Sequence, residues 1–356
     1  MIVAEPTDAL HPDPVPERST QTPGRRAWAR FRRHGRGYYS LWIFSILFVL
    51  SMGAELIANN RPLLIEYRGQ MYFPLWHAYP ETTFGGDFQT NADYTDPYVI
   101  GKIREHGWLW RTPIPFSYDT IDYYNPAPNP AAPNARHWLG TDDRGRDVAA
   151  RLIYGFRISV LFAFALTAIG MVVGMLAGAV QGYLGGKVDL TMQRFIEVWG
   201  SLPELYLLII FSSIFAPSIG LLLILLSLFG WIGLSDYVRA EFLKGRNLEY
   251  VRAARALGVS GPRIMFRHLM PNALTPVITF LPFRVSGAIL ALTSLDFLGL
   301  GVPPSTPSLG ELLSQGKNNV DAWWLSLTTF GVLVGTLMLL IFIGEAVRAA
   351  FDTRQK

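Results

Sequence analysis

Long apolar segments alternate along the chain with shorter polar stretches. A helix that crosses a bilayer needs about 20 apolar residues, and six segments approach this length. The pattern predicts membrane-spanning helices over residues 40–58, 158–180, 198–215, 218–235, 272–295 and 325–344. In the second segment, Gly170, Gly174 and Gly178 recur every fourth residue, a spacing that favours close packing of one helix face against another.

Two charged residues interrupt the apolar segments, Glu204 in the third and Arg284 in the fifth. If these helices enter the bilayer near Arg194 and Asn272, both charges lie roughly 15–18 Å deep. A charge at that depth costs about 3 kcal/mol or more. We therefore expect both side chains to face the interior of the helix bundle, paired with each other or lining a substrate path. The alternative is a separate partner for each, such as another subunit for Arg284.

Basic residues cluster on one side of the predicted membrane. Residues 24–37 contain six arginines, residues 239–267 contain seven Lys or Arg, and three more follow residue 347. Cytoplasmic loops carry the excess of Lys and Arg in membrane proteins. Both termini are therefore predicted to be cytoplasmic, and residues 59–157 are predicted to form a folded periplasmic insertion.

The composition agrees with a membrane protein and narrows the chemistry. Of the 356 residues, 50% are hydrophobic and 16% are charged, against about 25% charged in soluble domains. The chain contains no cysteine, which excludes disulfides, thiol catalysis and cysteine metal sites. It also lacks the Gly-x-x-x-x-Gly-Lys-Ser/Thr phosphate loop, so we expect no ATP hydrolysis by this chain and no enzymatic activity.

A histidine and three aspartates, His137, Asp142, Asp143 and Asp147, lie close together before the second apolar segment. They could form a metal or acid–base site. Gly140 and other turn residues separate the acids and no second histidine is near, which favours a structural role. In that role Asp147 caps the next helix and the neighbouring arginines pair with the acids, and no metal site is expected.

Residues 250–272 form a basic, alanine-rich stretch between the fourth and fifth segments. Ala253, Ala254 and Leu257 are spaced to share one helix face, and Gly258 is suited to end that helix in a left-handed conformation. A small helix end of this kind could insert into a groove on another protein. The alternative is a helix at the membrane surface whose arginines contact anionic lipid.

This stretch resembles the cytoplasmic coupling loop of binding-protein-dependent ABC importer permeases. Their pattern is Glu-Ala-Ala, three residues, Gly, and a later apolar-x-Leu-Pro. The chain departs from it with Arg252 in place of Glu and with His268 at an apolar position, while Met270 occupies the Leu position. The resemblance implies that the ATPase-coupling residues are Arg252, Ala253, Ala254, Leu257, Gly258 and Pro271.

The resemblance extends over residues 137–350. Residues 137–159, 182–189 and 297–318 are similar to the dipeptide, oligopeptide and nickel branch of these permeases. Residues 41–48, 55–64 and 92–97 resemble importers of microcin C and oligopeptides within that branch.

What the resemblance implies is an all-α polytopic protein with about six transmembrane helices and the type I ABC importer permease fold. The expected organisation is a disordered and then basic tail (1–36), a first transmembrane helix (37–58), the insertion (59–157), a permease core (158–347) with coupling loop (239–271), and a C-terminal tail (348–356).

The implied function is that of a permease subunit in a bacterial inner membrane. It would form half of the path for oligopeptides or peptide-like substrates, with microcin C among the candidates. The implied partners are a sister permease, ATPase subunits that hold ATP and Mg, a periplasmic binding protein and membrane lipid, but no nucleic acid, and no cofactor is expected in this chain. The alternative is a secondary-active transporter of small peptides, although the chain shows no convincing internal repeat.

Overall fold

A computed structural model describes residues 23–352 of the chain. Disorder is predicted for the first residues of the chain. Those residues and the end of the C-terminal tail lie outside the described range. Helices dominate the fold and are named in chain order. They are α1 (Pro23–Arg33), α2 (Gly35–Met52), α3 (Ala54–Ile57), α4 (Pro97–His106), α5 (Val148–Leu184), α6 (Gly186–Gly200), α7 (Glu204–Ile214), α8 (Ile219–Gly230), α9 (Ile232–Gly245), α10 (Glu249–Ala256), α11 (Gly261–Arg263), α12 (Met270–Phe297), α13 (Leu309–Asn318) and α14 (Trp323–Phe351).

Four helical stretches among residues 23–352 are long and apolar enough to cross a membrane, or five if one bent pair counts as a span. The four are Val148–Leu184, Ile219–Gly245, Gly261–Phe297 and Trp323–Phe351. The first predicted span corresponds to α2 and α3, which break at Gly53 and do not meet this criterion as one helix. The polytopic helical fold is thus confirmed, with fewer spanning stretches than the hydrophobic pattern predicts.

The third predicted span is a bent pair rather than one helix. The axes of α6 and α7 differ by 63° across a short break, and Pro203 precedes the first residue of α7. Proline cannot donate a backbone hydrogen bond to the preceding turn. The depth assigned to Glu204, which assumed a straight helix from Arg194, is therefore wrong.

Helix α5 begins at Val148, ahead of the predicted start at residue 158, so the insertion ends at Asp147. The Asp147 side chain accepts a hydrogen bond from the backbone N–H of Ala150 at 2.8 Å. This is the predicted cap, and it satisfies an N–H that has no partner within the helix.

The glycine face of α5 packs directly on α9, as the spacing predicts. A Cβ atom on Gly174 would lie 2.8 Å from the carbonyl oxygen of Trp231, and one on Gly178 would lie 2.4 Å from that of Ser235. Both distances are too short for any larger side chain. The two backbones therefore approach closely along several turns, and the bundle is built around this pair.

The insertion is folded, as predicted, and contains a three-stranded antiparallel sheet beside the otherwise helical chain. The strands β1 (Leu64–Tyr67), β2 (Gln70–Tyr72) and β3 (Gly107–Trp110) have the order β2-β1-β3, with Ile65 opposite both Tyr72 and Leu109. Alternate residues of β1 are buried, the period expected of a strand with one covered face.

Buried charges join the insertion to the membrane core. Arg151, in the first turns of α5, is fully buried; it forms an ion pair with Glu311 of α13 and donates to the carbonyl of Tyr118 at 3.1 Å. Arg146 binds Asp142 at 2.7 Å and Glu311 at 3.3 Å. Since each buried charge has a partner, this network clamps the insertion to α13.

His137 lies in the insertion between two carboxylates. Its Nδ1 is 2.8 Å from Asp147, its Nε2 is 3.1 Å from Asp122, and its ring stacks on Phe116. Arg136 also binds Asp122 at 3.1 Å. Residues 23–352 include no group of His, Asp and Glu that could hold a metal ion. The two carboxylates that hold the His137 ring support the structural role that the sequence favours, which stays a prediction.

The protonated form of His137 is expected to stabilise the insertion. Burial lowers the pKa of His137, but the hydrogen bonds to Asp147 and Asp122 outweigh burial and raise it above its ordinary value. The stabilisation is complete below the unfolded pKa of about 6.5 and is lost as pH rises through the folded value. We expect the unfolding temperature of the purified protein to fall as the pH rises above about 6.5.

His137→Gln should remove this pH dependence, and His77→Gln, at an exposed histidine of the same insertion, should retain it. An unchanged slope in His137→Gln would contradict the assignment.

Candidate functional site

The predicted coupling loop is a compact unit at one end of the bundle. Helix α10 packs through Val251 on a buried cluster that includes Phe242, Ile264 and Leu269. The guanidinium group of Arg255 lies 5.5 Å from the ring of Tyr183, at the end of α5. The loop is therefore fixed to the membrane helices on its inner side.

The outer side of the loop is apolar at its tip. Leu257 is 84% exposed and follows the last residue of α10, and Ala253 and Arg252 are exposed beside it. Gly258 has the left-handed φ of +77° that its position predicts. Ala254 is half-buried against the loop's own core, so it contributes less to the exposed tip than Leu257 does.

Pro271 lies away from this tip, within the continuous helical stretch Gly261–Phe297. One wider turn of π-helix, Ile264–Leu269, precedes it. Such turns accommodate a residue that breaks the regular hydrogen-bond ladder, and proline lacks the N–H. The side-chain amide of Asn272 donates to the Tyr250 hydroxyl at 3.2 Å, which ties α12 to α10.

The two intramembrane charges line one cavity of about 310 Å³ between α5, α7, α8 and α12. The Arg284 guanidinium group donates to the carbonyl of Gly230. Helix α8 ends at Gly230 and α9 begins two residues later, and a helix end leaves carbonyls without partners. Arg284 therefore binds the carbonyl at this break.

Glu204 is the first residue of α7, and its side chain lines the same cavity. An acid in the first turn of a helix is favoured by the helix dipole. Within residues 23–352 no ion pair joins Glu204 to Arg284. The structure thus brings the two residues to one cavity without direct pairing, and a role in lining the substrate path stays a prediction.

Two further polar groups of this cavity, the hydroxyl of Thr167 and the carbonyl of Gly230, are not among the residues that the sequence singles out. The hydroxyl of Thr167 is buried and has no hydrogen-bond partner among the described residues, and the same holds for Nε of Arg284. The signal for Thr167 is a single hydroxyl in an apolar segment. Gly230 can be identified only once the helix break after it is known, because that break is what frees its carbonyl.

The profile of the family described as binding-protein-dependent transport system inner membrane component matches residues 154–356. The chain belongs to this family. The profile of the N-terminal transmembrane domain of oligopeptide transport permease C matches residues 22–74. Both the loop and the charged cavity lie in the part matched by the permease family.

Several permeases are similar over most of the chain. The inner membrane ABC transporter permease protein YejE of Escherichia coli (strain K12) is 54% identical over 325 residues, 91% of this chain and 95% of that protein. The peptidoglycan transport system permease protein YejE of Agrobacterium fabrum (strain C58) is 50% identical over 355 residues, 93% of each. The oligopeptide transport system permease protein OppC of Haemophilus influenzae is 36% identical over 261 residues, 73% of this chain and 82% of OppC.

Family membership confirms the predicted function: this chain is a permease subunit of an ABC importer. It is a multi-pass inner-membrane subunit and not an enzyme, since ATP hydrolysis belongs to a separate subunit. The family also implies an ATPase and a binding protein as partners. A secondary-active transporter, the alternative from the sequence, is therefore excluded.

Proposed function

We propose that this permease forms half of the translocation path for oligopeptides or peptide-like substrates, with microcin C among the candidates. Support comes from the relatives, whose names refer to oligopeptide and peptidoglycan transport. A periplasmic binding protein delivers the substrate, and a non-identical sister permease provides the other half of the path.

The observation behind the proposed mechanism is the exposed tip at Leu257. An apolar side chain that is 84% exposed, beside arginines and next to a left-handed glycine, fits a groove on the ATPase. Closure of two ATPase subunits on ATP and Mg moves this tip. Helix Gly261–Phe297 continues from the loop to Arg284, so the movement reaches the charged cavity and opens it to one side of the membrane at a time.

The sister permease and lipid are expected to cover the remaining apolar surface. In the most apolar 18 residues of Val148–Leu184, only 33% are buried within this chain. In the corresponding part of Ile219–Gly245, only 28% are buried. Side chains of α7 such as Ile210 and Ile214 are more than half exposed. Surfaces this apolar are stable only against hydrocarbon or another protein.

We expect both termini and the loop to be cytoplasmic and the insertion periplasmic. The chain has no native cysteine, so single cysteines report topology cleanly. Asn91→Cys, at an exposed position of the insertion, should react with a membrane-impermeant thiol reagent once the outer membrane is permeabilised. Lys187→Cys, at an exposed position at the other end of α5 from the insertion, is the matched control and should react only after the inner membrane is broken. The reverse order of labelling would overturn the topology.

The substrate class is tested by uptake. A strain lacking this subunit should lose uptake of labelled peptides within a defined range of lengths, and the cloned subunit should restore it. The complex purified through this chain should contain an ATPase and a second permease. Unchanged uptake of peptides of every length would exclude the peptide assignment while leaving the permease role in place.

A further inference from the structure

A cavity of about 460 Å³ with a basic wall lies where α1 and α2 meet α14. Its lining is Arg33, His34, Gly35, Arg36 and Gly37 on one side and Phe342, Glu345, Ala346 and Ala349 on the other. Arg33 and Arg36 are exposed, and neither forms a hydrogen bond or ion pair with any residue from 23 to 352. Two guanidinium groups without acceptors suit an oxyanion, above all a phosphate.

Helix α1 is held in place by its apolar side. Ala27 and Phe31 are buried, and Phe31 packs with Ala346 and Ala350 of α14. The helix contains five arginines and no acid. Because its apolar side packs against α14, α1 does not bury its apolar residues in a membrane, and its last residue, Arg33, lines the cavity.

Exposed aromatic side chains lie on α1 and α2, the two helices that contribute the basic wall of the cavity. Trp28 is 49% exposed, Tyr39 67% and Trp42 53%. Trp and Tyr are enriched at the level of the lipid headgroups, where one end of the ring is in contact with hydrocarbon and the other with water. Beyond Trp42, the outward side of α2 is apolar, with Ile46 53% exposed. A ligand here therefore meets cations at one end and a hydrocarbon-facing surface at the other.

We propose that this cavity binds the phosphodiester headgroup of an anionic phospholipid, held by Arg33 and Arg36, with its acyl chains along Trp42 and Ile46. Arginine clusters directly beside a transmembrane helix attract anionic lipids. The proposed topology is needed only to say which leaflet of the membrane supplies the lipid, and it assigns the cytoplasmic leaflet. Binding itself can be measured without transport.

The test uses the purified permease complex and native mass spectrometry with added dioleoyl phosphatidylglycerol or dioleoyl phosphatidylcholine. We expect tighter binding of phosphatidylglycerol, and a loss of about thirtyfold in its affinity in the double variant Arg33→Gln/Arg36→Gln. The control is Arg68→Gln/Arg104→Gln, which removes two exposed arginines from the insertion and should bind like the wild type. Glu345→Gln should bind phosphatidylglycerol at least as well as the wild type.

Three results would overturn the proposal. One is equal binding of the two lipids, another is wild-type affinity in the Arg33/Arg36 variant, and the third is displacement of the lipid by an equimolar amount of inorganic phosphate. Size-exclusion chromatography of the variant checks that the complex still assembles, and Arg33→Lys/Arg36→Lys, which keeps the charge, should recover part of the affinity.

Discussion

Gly258→Trp is expected to abolish binding-protein-stimulated ATP hydrolysis and uptake while the permease still reaches the membrane. Nothing lies within 4 Å of a Cβ built on Gly258, so the indole ring would project outward, toward the space assigned to the ATPase. The positive φ adds about 1–2 kcal/mol of backbone strain. The change therefore blocks docking far more than it disturbs the permease itself.

The matched control is Gly69→Trp. Gly69 has a φ of +78° and equally open surroundings, but it lies in the turn between β1 and β2 of the insertion. It should leave hydrolysis close to the wild-type rate. Normal stimulated hydrolysis in Gly258→Trp would show that the loop does not contact the ATPase.

Leu257→Asp gives a second test of the same contact with no backbone strain. Since the side chain is 84% exposed, the aspartate costs the isolated permease little. Burial of a leucine in a partner's groove stabilises a complex by about 1.5–3 kcal/mol, so the affinity for the ATPase should fall tenfold or more. Ala254→Arg is a poorer test, because Ala254 packs against the loop's own core.

The sequence predicts those features that depend on local pattern. Three features follow from a residue type at a particular place in the local pattern. They are the glycine face at Gly174 and Gly178, the left-handed conformation of Gly258 and the helix cap at Asp147. Hydrophobicity predicts which segments are helical and apolar. It does not predict how straight they are, so the 63° bend before Glu204 was missed.

The charged cavity could be predicted only in part. Glu204 and Arg284 stand out because charges are rare in apolar segments, and the structure places them around one cavity. Arg284 donates to the backbone carbonyl of Gly230. Because every residue has a backbone carbonyl, the sequence does not single this one out. Only the break between α8 and α9 leaves this one without a helical partner, and no side chain at this position signals it.

This carbonyl decides what changes at Arg284 should do. Arg284→Met keeps most of the side-chain length but removes every donor, which leaves the carbonyl of the half-buried Gly230 without this partner, at a cost of up to about 1–3 kcal/mol. If the α8–α9 break has to keep its shape while the cavity opens and closes, uptake should fall about tenfold or more. Arg284→Lys retains one charged donor and should be less impaired, and Glu204→Gln should have a smaller effect than Arg284→Met.

The double change Glu204→Arg/Arg284→Glu separates the carbonyl contact from an ion pair. A glutamate at position 284 cannot donate to the Gly230 carbonyl, and two acceptors at the break repel each other. We therefore expect the swapped variant to transport no better than Arg284→Met, measured as peptide uptake at equal amounts of assembled complex. Recovery toward wild-type uptake would mean that the two charges pair during the transport cycle, and the role given to Gly230 would then be wrong.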